Sequence, residues 1–200
     1  RTEIKDLCAW LRLWVNQDDD PAFLRAATTP RRGIGHQSLA QLGSFAAKYR
    51  ISLFEALMRP SLASALGSRA IGSLHEFGRF VNDLQYRARQ TRGQDAAHAF
   101  LLQWLADIGY EKHLADGQDS PAQAAARWGH VLQFCDWIAA RCGGQQDDAS
   151  GVDDTGAPKH LLEVAQTVSL LSTISERDSD PNVVTLSTLH AAKGLEWDRV

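Results

Sequence analysis

The sequence predicts a mainly α fold, a bundle of helices with a single clear strand near its end. Apolar residues recur at three- and four-residue steps through most of the 200 positions, the spacing that puts them on one side of a helix. Residues that start and stop helices punctuate those stretches. Only Val183-Val184-Thr185-Leu186-Ser187-Thr188 is β-branched over enough positions to read as a strand.

From Glu3 to Asn16, Ile4, Leu7, Cys8, Leu11, Trp14 and Val15 mark one buried face of an amphipathic helix. The stretch Asn16 to Pro21 stops it and starts a short second helix, with Asp20 expected as N-cap and Pro21 at the first helical position. That helix gives out at Thr28-Thr29-Pro30. The turn Arg31-Arg32-Gly33-Ile34-Gly35 leads into a third, which carries Leu39, Leu42, Phe45, Ala46 and Tyr49. Ser52 and Glu55 have capping-box spacing and start a helix to Met58, ahead of Pro60.

Ile71, Leu74, Phe77, Val81 and Leu84 mark a helix to about Gln90, and Ala97, Phe100, Leu101, Trp104, Leu105 and Ile108 mark the next, which Gly109 closes. Ser120-Pro121 starts a long helix whose stripe is Ala124, Trp128, Val131, Cys135, Ile138 and Cys142. Gly143 to Lys159 has almost no large apolar group to offset its ordering entropy, so a mobile loop is expected. A helix from about His160 to Thr173, a polar stretch from Ser175 to Asn182 and the strand complete the chain. No internal repeat is visible.

Hydrophobic residues make up 44% and charged residues 22%, an ordinary globular composition, and no apolar run approaches the roughly 20 residues of a membrane helix. No charged-then-apolar leader follows Arg1, and Trp197 to Val200 reads as the middle of a strand, so both ends are expected to be cut from a longer chain. The net charge of −3 is unevenly spread. Arg25 to Lys112 holds 12 Lys and Arg against 6 Asp and Glu, whereas His113 to Val200 holds 6 against 13. The first half thus carries a basic surface of the sort that faces nucleic acid or is merely solvated. Cys8, Cys135 and Cys142 form no CxxC pair and read as reduced core thiols, and the seven histidines show no metal-type spacing, so no metal site is expected.

Two places carry chemistry. In Pro30-Arg31-Arg32-Gly33-Ile34-Gly35, two glycines allow torsions and close approach that a Cβ would block. The free N–H groups at the start of the next helix favour an anion, and Arg31 and Arg32 add charge beside it. Gly-Ile-Gly between helices is the pattern of helix-hairpin-helix turns, which grip the sugar-phosphate backbone without reading bases. A tight turn with no ligand is the plain alternative. The second place is the strand-end loop Thr185 to Glu196, where Thr188 and His190 suit a phosphate, Lys193-Gly194 a cation beside close-approach backbone, and Glu196 a ribose hydroxyl.

Thr188-Leu-His-Ala-Ala-Lys-Gly-Leu-Glu196 resembles motif V of the Rep/UvrD/PcrA-like DNA helicases of superfamily one, within which the chain most resembles the Rep branch. Arg1-Thr-Glu-Ile-Lys-Asp6, Trp10-Leu-Arg-Leu13 and Asn16-Gln-Asp-Asp-Asp-Pro-Ala-Phe-Leu-Arg25 resemble the passage from that family's second motor domain, 2A, into its inserted 2B subdomain. Thr29-Pro-Arg-Arg-Gly-Ile-Gly35 resembles its duplex-contacting motif. The resemblance covers nearly the whole chain, strongly at the ends and weakly from about Ile51 to Asn182. It implies a helical bundle, 2B, with a small fragment of a RecA-like α/β domain at the chain ends. Residues 1–20 would belong to 2A, 21–180 to 2B, and 181–200 to the return into 2A.

By the same resemblance, Thr29, Arg31, Arg32, Gly33, Ile34, Gly35, Thr188 and His190 would contact DNA, and Lys193, Gly194 and Glu196 the nucleotide. The whole enzyme would be an ATP-dependent 3′→5′ helicase of the replication-restart and repair type, using ATP and Mg2+. Its partners would be duplex and single-stranded DNA and replication or repair proteins, with no membrane, in the bacterial cytoplasm at the nucleoid. The 2B part would regulate unwinding by swivelling. There are departures: the sequence has no G-x-x-x-x-G-K-[ST] loop, no acidic Walker B pair and no arginine-bearing later motif, and Trp197 stands where the family is expected to have Phe. The chain is therefore expected to bind no nucleotide and hydrolyse no ATP by itself. A stand-alone helix-hairpin-helix DNA-binding or protein-interaction module without a motor is the alternative.

Overall fold

The opening helix, α1 (Thr2–Val15), is enclosed by the rest of the chain, packing against α2 (Asp20–Thr28), α5 (Ser68–Gln90), α8 (Pro121–Cys142) and α9 (Leu161–Arg177). A computed structural model describes residues 1–117, 120–144 and 157–177, with side chains to 173. Among the described residues the fold is helical with no strand; the run Val183 to Thr188 lies outside them.

The expectation for α1 was one buried face, and the structure corrects it. Leu7, Trp10, Leu11, Leu13 and Trp14 are all fully buried, because helices cover α1 on several sides. Each such side chain contributes about 1.5–3 kcal/mol by leaving water. Trp10 meets Phe77, Phe80 and Trp104 edge-on at centroid distances of 5.7, 6.0 and 6.0 Å, and Trp14 meets Trp104 at 4.8 Å. The aromatic cluster thus ties α1 to α5 and α6 (Gln94–Asp107). The expected boundary between residues 20 and 21 falls just after the first residue of α2, and α1 and α2 share this one core.

The start of α2 differs by one residue from expectation. Asp19 is its N-cap, accepting from the Ala22 N–H at 3.0 Å, while the Asp20 carboxylate accepts from the Leu53 N–H at 2.8 Å. Three aspartates in a row offer several caps, and Asp19 is held in place by Arg12 at 2.8 Å. After α3 (His36–Tyr49), Ser52 caps α4 (Leu53–Leu57) through the Glu55 N–H at 3.1 Å; the Glu55 side chain pairs forward with Arg59 instead of reaching back. A single 3-10 turn, Pro60–Ser64, leads to α5.

Gly109 takes a left-handed φ of 64° just after α6, as the sequence suggested. It also turns the chain into α7 (Tyr110–Asp116), a short helix that apolar periodicity did not mark because only Tyr110 and Leu114 are buried. The Tyr110 hydroxyl donates to Asp6 at 2.7 Å, and the Arg25 guanidinium donates to the same carboxylate at 2.7 Å. Burial, then the Asp6 carboxylate, push the Tyr110 phenol well up, so it stays a donor. His130 on α8 presents Nδ1 to Glu3 at 2.9 Å, which with a carboxylate acceptor makes the ring the donor. Through these bonds α1 fixes α2, α7 and α8.

Of the stretch expected to be mobile, residues 145–156 lie outside the described residues. Its far edge is tied down: the Lys159 N–H donates to Cys142 O at 2.8 Å, and the Leu161 N–H donates to Thr91 O at 2.9 Å. Cys135 and Cys142 are buried thiols and Cys8 is half-buried, all three unbridged. Burial pushes Cys135 up to about 12 and Cys142 up to about 11, so neither is a thiolate at neutral pH.

Candidate nucleic-acid interface

The α2–α3 connection holds the first predicted site, and its two ends are anchored differently from its middle. Pro30 is buried, and the indole N–H of Trp10 donates to the Thr29 carbonyl at 3.3 Å. Thr29 and Ile34 are half-buried, whereas Arg31, Gly33 and Gly35 are exposed. A rigid entry from the aromatic core thus carries an open tip.

The two arginines diverge. Arg31 points to solvent. Arg32 turns inward, its guanidinium 4.9 Å from the Trp10 ring centroid and 5.6 Å from that of Phe77, a cation over two aromatic faces. Its Nε and Nη2 are buried without a hydrogen-bond partner among the described residues. Burial pushes Arg32 down to about 10, so it remains charged at neutral pH. A cavity of about 240 Å3 lies beside it, lined by Ser73, Glu76, Phe77, Phe80 and Asp107.

The two glycines also differ. Gly33 has φ +79°, a left-handed conformation that side chains rarely adopt, while the space around it would admit a Cβ, with Ser73 Oγ at 3.8 Å. Conformation selects glycine there. Gly35 has φ −85° and ψ 161°, open to any residue, and a Cβ there would meet nothing within 4 Å. It precedes α3, whose first turn has no side-chain cap and whose His36 and Gln37 are exposed. The N–H groups of that turn therefore lack an internal partner and face outward with the positive end of the helix dipole.

Sequence reasoning did not mark the wall opposite Arg31. A cleft of about 670 Å3 separates Pro30 and Arg31 from the α6–α7 turn, with Lys112, His113 and Asp116 on its far side. No local motif distinguishes Lys112; only the fold brings it across from Arg31. The second predicted site, Thr188, His190, Lys193, Gly194 and Glu196, lies outside the described residues. Among the described residues no group of three or more His, Cys, Asp or Glu side chains could hold a metal ion, and no helix is long and apolar enough to cross a membrane.

Fold and site define a mainly helical domain, packed around α1, that carries an arginine-bearing Gly-Ile-Gly turn at its surface. The chain belongs to the UvrD-like helicase C-terminal domain family, whose sequence model matches residues 1–65 and 71–200. It is 35% identical over 202 residues to the ATP-dependent DNA helicase Rep of Salmonella typhimurium, covering 100% of this chain and 28% of that protein. It is 34% identical to the Rep helicase of Escherichia coli K12, again covering 100% of this chain and 28% of that protein. Identity to the ATP-dependent DNA helicase PcrA of Leuconostoc citreum is 28%, over 98% of this chain and 25% of that protein. The chain thus spans little more than a quarter of the length of these relatives.

Proposed function

We propose that this chain is the inserted helical 2B subdomain, with flanking 2A residues, of an ATP-dependent DNA helicase that moves 3′→5′, and that it holds duplex DNA by the phosphate backbone. Relatives named as ATP-dependent DNA helicases, matched along the whole chain, support the parent activity. The observation that carries the duplex role is the α2–α3 turn. Its left-handed Gly33, open Gly35 and exposed Arg31 stand beside the uncapped start of α3. Backbone N–H groups and one cation can approach a phosphate there, contacts that carry no sequence information.

Arg31 is the phosphate ligand of this reading, and Arg32 holds the turn against Trp10 and Phe77. Residues 1–20 would belong to 2A, 21–180 to 2B and 181–200 to the return into 2A, with α1 packed into the core it shares with the helices of 2B. Thr188 and His190 would contact the translocating strand, and Lys193, Gly194 and Glu196 would face ATP. With Mg2+, ATP supplies the free energy of movement in the whole enzyme, and the residues of this chain regulate unwinding by where they hold the duplex.

Titrating the full chain with blunt duplexes of unrelated sequence tests the reading. Equal affinities that weaken steeply with salt are expected. A marked preference for one sequence, or affinity indifferent to salt, would overturn it.

A further inference from the structure

The cleft beside the Gly-Ile-Gly turn has two exposed cations on separate elements, Arg31 on the α2–α3 turn and Lys112 on α7. Among the described residues neither has a carboxylate within ion-pairing distance, although Asp116 lies on the same rim one helical turn beyond Lys112. Their placement is not accidental to a loose loop. Tyr110 pins the start of α7 to Asp6 of α1 at 2.7 Å, the Tyr110 ring packs on His113 at 5.6 Å, and Trp10 holds Thr29 from the same helix. Both walls of the cleft are therefore fixed to α1, and both cations line the same open space of about 670 Å3.

Two cations lining one cleft raise the local positive potential, which favours a polyanion there. We infer that Lys112, across the cleft from Arg31, takes a second phosphate of the same duplex, so that the interface spans the α2–α3 turn and α7. This rests on the duplex-binding reading of the turn. His113 forms the wall beside Lys112, and among the described residues lining the cleft the Asp116 carboxylate is the group that opposes the polyanion. The duplex is the anion that fits, because it supplies phosphates in series along an edge continuous with the turn.

Salt titration of the full chain with a blunt duplex separates this inference from its foundation. Lys112→Ala should flatten the slope of log affinity against log salt by about 0.9, as Arg31→Ala does, and the double variant by about twice that. Asp116→Asn should tighten binding severalfold. Arg89→Ala is the control, exposed on α5 and about 24 Å along that helix from Ser73, which lies beside the turn. An unchanged slope in Lys112→Ala, or unchanged affinity in Asp116→Asn, overturns the inference while a flattened slope in Arg31→Ala leaves the turn in place. Unchanged slopes in both Lys112→Ala and Arg31→Ala remove the turn as well.

Discussion

The guanidinium of Arg32 lies 4.9 Å from the ring centroid of Trp10, which itself donates to the Thr29 carbonyl three residues earlier in the same turn. One tryptophan of α1 thus grips the α2–α3 turn twice. Adjacent arginines that look equivalent in sequence are consequently separated, one over the aromatic core and one in solvent.

Arg32→Ala is expected to act on stability. The loss of a desolvated cation–π contact and of the packed aliphatic stem should cost about 1–2 kcal/mol, read as a lower melting temperature. The salt slope of the folded fraction should change less than in Arg31→Ala. A slope flattened equally by both substitutions, with the melting temperature unmoved, would show that Arg32 leaves the rings to hold phosphate.

Gly33→Val should destabilise the fold by about 1–3 kcal/mol, because a β-branched residue is forced to φ +79°. Gly33→Asn, which tolerates that conformation, should recover most of the loss. Equal melting temperatures for the Val and Asn variants would contradict the backbone reading, since Ser73 Oγ at 3.8 Å leaves room for either Cβ.

Glu3 predicts an acid-limb effect. Burial pushes its carboxyl up, but a backbone N–H at the helix start, the His130 hydrogen bond and the positive charge of Arg127 and His130 outweigh that and leave it below its ordinary 4.5. The unfolded chain then binds more protons at this group, so its contribution is full above about 4.5 and is lost as pH falls through the lower folded value. Chemical denaturation at pH 7 and in the acid range should show Glu3→Gln losing less stability on acidification than the parent. An identical acid limb for both would remove the Glu3–His130 pair from the pH dependence.

Much of the bundle was legible because apolar periodicity reports burial directly. Leu74, Phe77, Val81 and Leu84 were marked by spacing and are buried on α5. Periodicity reports one face at a time, so it did not reveal that Trp10 and Leu13 are buried too, which depends on helices arriving from distant sequence. The Asp19 cap was misplaced by one residue because Asp18, Asp19 and Asp20 are chemically alike and only Arg12 and Leu53 sort them. In the candidate site, the glycines and the exposed Arg31 were visible as a motif. The inward turn of Arg32 and the approach of Lys112 were not, since both are set by tertiary packing around α1.

The chain should show no DNA-stimulated ATP hydrolysis of its own, because its sequence lacks the G-x-x-x-x-G-K-[ST] loop that cradles phosphates and a Walker B carboxylate pair. Phosphate release measured with single-stranded and duplex DNA checks this. Turnover that survives purification to homogeneity would require a nucleotide site of another kind.

Gly35→Val tests the central claim most directly, since φ −85° and open surroundings let the variant fold while its side chain fills the approach to the start of α3. A poorer helix cap should cost at most about 1 kcal/mol of stability. Blunt-duplex affinity of this variant, measured at two salt concentrations on folded protein, should fall at both, with Arg31 and its charge intact. Unchanged duplex affinity in folded Gly35→Val would contradict the assignment of this turn to the DNA interface.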